Sequence, residues 1–322
     1  MTLVIAVPSK GRLQENTYEY FARAGLEIVQ GRGVRDYRGS VAGLEGVEVA
    51  FLSASEIVGQ LAAGAAHIGV TGEDLVREHV ADVDAKLIML TPLGFGRANV
   101  VVAAPQSWID VRNMADLEDV CAHYRARRGA RMRVATKYVN LTRRFFDEHA
   151  VTDYRIVESL GATEGAPAAG SAELIVDITT TGATLTANAL KIIEDGVILR
   201  SEANLVAAKR ADWSDGARDA ARAILSRLAA SEKARRSREV RAIWPEGNAQ
   251  AVAETATKFG ATAEFSGSGA QAFLCPRPLA AELANYLLAQ GARRVVVQSV
   301  EQVFETDNPL YNALASKMFA TD

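Results

Sequence analysis

The sequence predicts an α/β protein of two lobes followed by a smaller βαββαβ unit. Three observations predict it. Apolar strand-like runs alternate with helical patterns through residue 208, the strands change register near residue 98 and return near Ala203, and a new composition opens at Glu239 behind an Ala- and Arg-rich helix. A chain of 322 residues also exceeds what one hydrophobic core normally serves, so two or three domains are expected.

In chain order, strands are expected at Leu3–Val7, Val47–Phe51, Ile68–Val70 and Lys86–Leu90, each followed by a turn or helix. A second set follows at Val100–Ala104, Arg133–Ala135, Tyr154–Val157 and Leu174–Ile178, and Ala203–Ala208 rejoins the first set. The sheets are expected to be mainly parallel. The first lobe takes residues 1–98 and is completed by about 190–236; the second takes 99–189. Two crossings make a cleft, and α/β sheets place ligands beyond the carboxyl ends of their strands. A helix from about Asp215 to Arg236 leads to the third domain, 239–322. There Glu239–Trp244, Ala249–Phe259, Ala263–Phe265, Ala272–Cys275, Leu279–Gln290 and Arg293–Val300 give the ferredoxin-like order βαββαβ.

Composition excludes several classes. The chain is 49% hydrophobic and 23% charged, ordinary for a globular protein, and a net charge of −3 argues against a nucleic-acid partner held on a broad basic surface. The dense basic run Lys233–Arg241 is explained by cations at a helix C-terminus. No stretch has the apolar length of a membrane span and MTLVIAVPSKGR lacks the form of a leader, so no membrane partner and a cytoplasmic location are expected. Cys121 and Cys275 match no metal spacing and are expected as reduced, mostly buried thiols. His67, His79, His123 and His149 show no ligand pattern; His67 and His149 are expected to cap or pack, and no protein-held metal is expected.

Candidate chemistry sits at strand ends. DITTTGATLTAN, Asp177–Asn188, follows the apolar Leu174-Ile175-Val176 and carries five hydroxyls, a glycine and a leading carboxylate before a helix-like segment. Backbone N–H groups there, with Thr180, Thr181 and Thr184, suit a sugar phosphate, while Asp177 suits ribose hydroxyls. A hydroxyl-rich helix cap is the alternative. Lys10 and Arg12 flank Gly11 after the first strand, where cations are poorly placed unless an anion offsets the helix dipole. Asp74 either meets a ligand or caps the helix that follows. Gly94-Phe95-Gly96-Arg97 lies at the first crossing, with Arg97 facing the cleft. Thr136, Lys137 and Asn140 open another helix after a strand. Glu164 is a lone loop carboxylate, and Ser53-Ala-Ser-Glu56 forms a capping box without chemistry.

Together SKGRL (Ser9–Leu13), GVTGEDL (Gly69–Leu75), GFGRANVVVAAP (Gly94–Pro105), RVATKYVNLTRRFF (Arg133–Phe146) and GATEGAPAAGSAELIVDITTTGATLTAN (Gly161–Asn188) resemble the ATP phosphoribosyltransferase family, in family order. RVVVQSVEQVF (Arg293–Phe304) resembles the regulatory domain of its long form. The resemblance implies a type II periplasmic-binding-protein-like catalytic region with an ACT-like third domain. It implies transfer of phosphoribose from phosphoribosyl pyrophosphate to ATP, the first step of histidine biosynthesis, with Mg²⁺ carried on the pyrophosphate.

By the same resemblance Asp177, Glu164 and Lys10 are catalytic, and Asp177, Thr180, Thr181, Gly182, Ala183 and Thr184 hold phosphoribosyl pyrophosphate. Arg12, Asp74 and Arg97 contact ATP. Histidine is implied as inhibitor and a homo-oligomer, dimer or hexamer, as the assembly. Glu305–Asp322 and Trp244-Pro-Glu-Gly247 depart from the family pattern. The competing readings are a two-lobed solute-binding protein and a non-catalytic histidine-sensing subunit.

Overall fold

A computed structural model describes residues 2–31, 37–159, 161–267 and 269–319. The first lobe opens with β1 (Leu3–Pro8), α1 (Gly11–Arg23), β2 (Ile28–Gln30), β3 (Arg38–Val41) and β4 (Leu44–Leu52). It continues with α2 (Ala54–Ala63), β5 (Ile68–Gly72), α3 (Glu73–His79), α4 (Val83–Lys86) and β6 (Leu87–Pro92). The chain then crosses into β7 (Ala98–Pro105), α5 (Met114–Arg128), β8 (Met132–Thr136), α6 (Val139–Glu148) and β9 (Tyr154–Glu158). β10 (Leu174–Thr179), α7 (Ala183–Ala187) and β11 (Leu190–Ser201) complete the second lobe, and β12 (Ala203–Ala208) returns to the first. Beyond α8 (Asp215–Arg236) come β13 (Ser237–Ile243), α9 (Ala249–Lys258), β14 (Thr262–Gly267), β15 (Ala270–Pro276), α10 (Ala280–Ala289), β16 (Arg294–Gln298) and α11 (Pro309–Met318).

Among the described residues the strands form three sheets, ordered β2-β3-β4-β1-β5-β12-β6, β11-β7-β10-β8-β9 and β14-β15-β13-β16. β1 lies between two parallel neighbours and is buried on both faces: Leu3, Ile5 and Val7 enter one core and Ala6 the other. The third sheet is antiparallel throughout, with each sequence neighbour placed as a ferredoxin-like βαββαβ unit requires. The first two sheets form two lobes, with the chain passing from the first to the second and back.

The expectation of mainly parallel sheets is corrected. Only β1 with β4 and β5, and β8 with β9 and β10, run parallel among the described residues of the two lobes; β2, β3, β7, β11 and β12 all pair antiparallel. The physical reason lies in the return strands. β7 and β12 carry the crossings, so they enter their sheets against the strands laid down by helical crossovers. β11 was not anticipated as a strand, because Glu194-Asp195-Gly196 interrupts its apolar pattern as a turn would. In the sheet that stretch is an irregularity between Ile192 and Val197, and it faces α5: Glu194 N–H donates to the Arg112 carbonyl (2.8 Å) and Asp195 Oδ1 accepts from Met114 N–H (2.8 Å). The chain regains the first sheet at Ala203, where the sequence places the returning strand.

Several local expectations hold. Ser53 and Glu56 form the capping box of α2. His67 Nδ1 accepts from Val4 N–H (3.1 Å), its Nε2 meets the Asp212 carbonyl (3.0 Å), and its ring packs edge-on against Trp213. His149 stacks on Phe145. Both cysteines are free and buried, and burial pushes the Cys121 thiol up to about 12. Arg235 and Arg236, in the basic run, pair with Glu232 on α8. No helix among the described residues is long and apolar enough to cross a membrane.

The two crossings are tied to each other. Leu93 N–H donates to the Ala203 carbonyl (2.9 Å) and Ala203 N–H to the Phe95 carbonyl (3.0 Å). Gly96, at φ +65°, sits where a Cβ would meet Ala203 Cβ and Leu13 Cδ1 at 3.4 Å. Gly96→Ala is expected to destabilise the chain by about 1–2 kcal/mol through the left-handed backbone; an unchanged denaturation midpoint would show that the crossing relaxes freely.

Candidate active site

β10 sits between β7 and β8, and its carboxyl end delivers Asp177 to the second lobe's rim. Register is fixed from below: Arg133 on β8 forks onto Glu173, just before β10, through its Nη2 (2.6 Å) and backbone N–H (2.7 Å). Beyond Asp177 the chain bends at Gly182, φ +76°, and enters α7. The bend holds itself: Gly182 N–H donates to Thr179 Oγ1 (2.9 Å), and Thr186 Oγ1 donates to the Gly182 carbonyl (3.1 Å). Ala183 N–H makes only a long bond to Thr181 Oγ1 (3.4 Å).

Around this bend lies a cavity of about 370 Å³ lined by Asp177, Ile178, Thr179, Thr180, Thr181, Thr184 and Leu185, with Glu164 and Ala98 closing its sides. Thr180, Thr181 and Thr184 are exposed and Asp177 is half-buried. Asp177 Oδ1 already accepts from Ile178 N–H (2.8 Å). Two carboxylates beside four threonine hydroxyls suit a phosphorylated polyol. Glu164, a lone loop carboxylate in the sequence and a catalytic candidate by the resemblance, comes to the same cavity from a single 3-10 turn at Thr163–Gly165. Gly182 and Ala183 shape the bend but are not among the lining residues.

The other expected contacts lie apart from that lining. Lys10 and Arg12 are exposed around the N-terminus of α1, which lacks a side-chain cap and has no acid in its first turn. Arg97 is exposed at the first crossing, 3.7 Å from Glu202, and its carbonyl accepts from Thr180 Oγ1 (3.4 Å). Asp74 is buried, and both of its oxygens are taken: Oδ2 by the Tyr138 hydroxyl and Oδ1 by the Ser201 hydroxyl, each at 2.8 Å. Thr179 completes the lining and Lys137 acts electrostatically on Asp177, yet neither stood out in the sequence as a residue of this pocket. The dense run of hydroxyls was the available signal for Thr179. Among the described residues no cluster of three or more His, Cys, Asp or Glu side chains could hold a metal ion.

Burial, and secondarily the charge of Glu164, raises the Asp177 carboxyl above its ordinary range, while the Ile178 amide and Lys137 pull it back in part. A carboxyl raised in the folded state costs folding stability as pH rises through its unfolded and then its folded value. Activity that needs the ionised form is lost in the other direction, as pH falls through the raised value. Glu164→Gln removes the like charge, so the acid limb of kcat/KM is expected to move to lower pH; a pH–rate profile whose limb stays fixed would disprove this coupling.

Two α/β lobes joined by paired crossings thus present a carboxylate-and-hydroxyl cradle at a strand end. A family model described as ATP phosphoribosyltransferase matches residues 53–230. The ATP phosphoribosyltransferases of Nitrobacter winogradskyi and Bradyrhizobium diazoefficiens are each 58% identical, over 316 and 314 residues, covering 97% of this chain and 97% of each relative. Among solved structures, the ATP phosphoribosyl transferase (HisG:HisZ) complex from Thermotoga maritima matches with a TM-score of 0.55 and 25% identity, over 70% of this chain and 96% of that one. The chain belongs to the ATP phosphoribosyltransferase family and is a pentosyltransferase.

Proposed function

We infer that the cavity around Asp177 is where this enzyme holds phosphoribosyl pyrophosphate while ATP attacks it, opening histidine biosynthesis. The carrying observation is the convergence of Asp177, Glu164 and the threonines of the bend on one cavity of about 370 Å³. Thr180, Thr181 and Thr184 offer hydroxyls to the 5-phosphate, and the weakly held Ala183 amide is the cheapest N–H to redirect toward it. The second oxygen of Asp177 is the one left to address the ribose hydroxyls.

The N1 lone pair of adenine forms the new bond to C1 as the C1–oxygen bond to pyrophosphate breaks, the leaving group departing with the electron pair. No general base is needed, since that lone pair is available at neutral pH. What the chain must supply is alignment and charge: Asp177 and Glu164 are assigned to the positive charge that develops on the ribose, and Lys10 to the negative charge that builds on pyrophosphate. Mg²⁺ fits as a passenger on the pyrophosphate, because two carboxylates at one cavity are the oxygen donors it takes alongside substrate phosphates, and it would stabilise the leaving group. Arg12 and Arg97 are assigned to ATP from the first lobe and its crossing. Asp74 serves the ATP side indirectly, through the lobe contact that occupies its oxygens.

The third unit is assigned an ACT-like regulatory role, with histidine as the ligand, a homo-oligomer as the assembly and the cytoplasm as its place. Support comes from the open face of its sheet, where Glu239, Arg241, Gln271 and Arg294 line a cavity of about 640 Å³ with charges of both signs. Mixing the protein with ATP, phosphoribosyl pyrophosphate and Mg²⁺ is expected to give a new ultraviolet-absorbing adduct. Histidine is expected to suppress that signal and to alter sedimentation. No adduct would refute the catalytic reading, and adduct formation indifferent to histidine would refute the regulatory one.

A further inference from the structure

We propose that Tyr138 and Glu78 are positioning residues, belonging to a clasp that locks the two lobes at the angle required for phosphoribosyl transfer. The proposal rests on the reading of the Asp177 cavity as the phosphosugar site. Its observations lie elsewhere, in the contact of α3 from the first lobe with α6 from the second.

From its own segment helix α6 has only Thr136 Oγ1, which accepts from Tyr138 N–H (2.8 Å) and leaves the next amides open. Its N-cap residue, Tyr138, makes no side-chain cap, and no acid lies in its first turn. The cap comes from the other lobe. The buried carboxylate of Glu78 accepts from Asn140 N–H and Leu141 N–H, both at 2.9 Å, and Asn140 Nδ2 donates to the Glu78 carbonyl (3.0 Å). One turn earlier on α3, Asp74 takes the Tyr138 hydroxyl and, at the second crossing, the Ser201 hydroxyl; Ser201 Oγ in turn accepts from Asp74 N–H (3.0 Å). Between these polar ties Leu75 packs against the cores of both lobes. Arg144 Nη2 donates to the Arg77 carbonyl (2.6 Å) on the outer side.

Crossings alone leave two lobes free to rotate about the paired segments near Leu93 and Ala203. A third attachment away from that axis removes the rotation. The clasp meets the site directly in sequence and in space: Tyr138 follows Thr136 and Lys137 at the end of β8, whose Thr136 pairs with Val176, the residue before Asp177. Tyr138, Asp74 and Glu78 are all buried, so their bonds are made without competition from solvent, and each carboxylate oxygen that loses its donor is left costly and unpaired. Lobe angle is thereby set by buried chemistry on α3 and transmitted to the Asp177 bend through one strand.

The test uses the full chain carrying Tyr138→Phe, Glu78→Gln or the milder Ser201→Ala. Tyr138→Phe and Glu78→Gln are expected to lower kcat at least tenfold. The KM for phosphoribosyl pyrophosphate, whose phosphosugar sits on the second lobe, is expected to stay within about twofold, while the KM for ATP, assigned to the first lobe and its crossing and brought to the sugar only by the lobe angle, rises. Glu78→Gln keeps one acceptor oxygen and should retain more activity than Glu78→Ala. Spin labels at the exposed positions Glu45 and Arg127, one in each lobe, should report a broadened distance distribution in Tyr138→Phe; the native cysteines are buried.

Folded variants with lowered denaturation midpoints but unchanged kcat and an unchanged label distance would overturn the clasp, leaving it a structural contact only. If Ser201→Ala is the only variant that folds, a label distance identical to that of the parent overturns it equally. A failure of the phosphosugar reading looks different: a folded Asp177→Ala, Thr184→Ala double variant would keep activity within about threefold of the parent, while the label distances in Tyr138→Phe would still broaden.

Discussion

Asp177→Ala is expected to lower kcat/KM for phosphoribosyl pyrophosphate at least tenfold, which corresponds to about 1.4 kcal/mol of lost transition-state stabilisation. The carboxylate faces a cavity with Glu164 as its acidic neighbour, and partial burial there makes each charge count for more than it would in water. Positive charge develops on the ribose only as the pyrophosphate leaves, so the interaction strengthens on the way to the transition state and the loss should appear mainly in kcat.

Asp177→Asn separates the two contributions. It keeps the shape and can still accept from Ile178 N–H, but it brings no charge, so it should fall between alanine and the parent. Thr184→Ala, at the exposed mouth of the same bend, is expected to act chiefly on KM, by removing a hydroxyl from the phosphate while leaving the carboxylate in place. Removal of the Asp177–Ile178 bond costs on the order of 1 kcal/mol of stability, too little to unfold the lobe, so a rate measured on folded protein is interpretable. Initial rates of adduct formation decide the matter. Activity within threefold of the parent in a folded Asp177→Ala, Thr184→Ala double variant would remove the bend from the mechanism.

Features carried by a few consecutive residues were legible in the sequence. The bend at Gly182, the capping box at Ser53 and the βαββαβ order of the third unit all follow from local chemistry, because the groups that satisfy one another lie within a turn or an apolar period. Glu164 illustrates the limit. Its neighbours in sequence say only that it is a loop acid, and the cavity that gives it meaning is built by β10, which lies beyond it in the chain. Asp74 illustrates it again: cap and ligand contact were equal alternatives, and the structure occupies both oxygens with hydroxyls 64 and 127 residues away. The cap of α6 was illegible for the same reason, since the carboxylate that makes it stands 62 residues earlier. Strand β11 was hidden by the opposite effect, a local turn signal at Glu194-Asp195-Gly196 overruled by pairing with β7. Local signals thus located the phosphate bend, and tertiary contacts decided what surrounds it.

Leu314→Ala is expected to destabilise the first lobe by about 2–5 kcal/mol, and its effect shows where the tail beyond Phe304 belongs. That tail follows the third unit in sequence, and its departure from the family pattern left its role open. In space α11 lies on α8 and β6, with Leu314 fully buried and Tyr311 nearly so in the core that also holds Phe21, Ile224, Leu225 and Leu228. Arg222 lies over the Tyr311 ring at 4.6 Å, and Arg218 over Phe319 at 4.4 Å, so the helix is held by aromatic faces as well as by its apolar side. Val303 N–H donates to the Ala230 carbonyl (3.1 Å) on the way in, and Lys233 pairs with Glu305 nearby.

These contacts differ in weight. The Lys233–Glu305 pair is partly exposed and contributes at most about 1 kcal/mol, whereas deleting three side-chain carbons from a closed core loses their burial and leaves a cavity. Glu305→Ala is therefore the control, expected to move the urea midpoint little, with Leu314→Ala moving it strongly. Because α8 carries this core and then runs directly into β13, a tail that grips α8 also braces the one helix joining the catalytic lobes to the third unit. Loosening it should show first as faster amide exchange along α8 between Ala217 and Leu228. A Leu314→Ala midpoint within about 1 kcal/mol of the parent, with exchange along α8 unchanged, would mean that the first lobe closes its core without the tail.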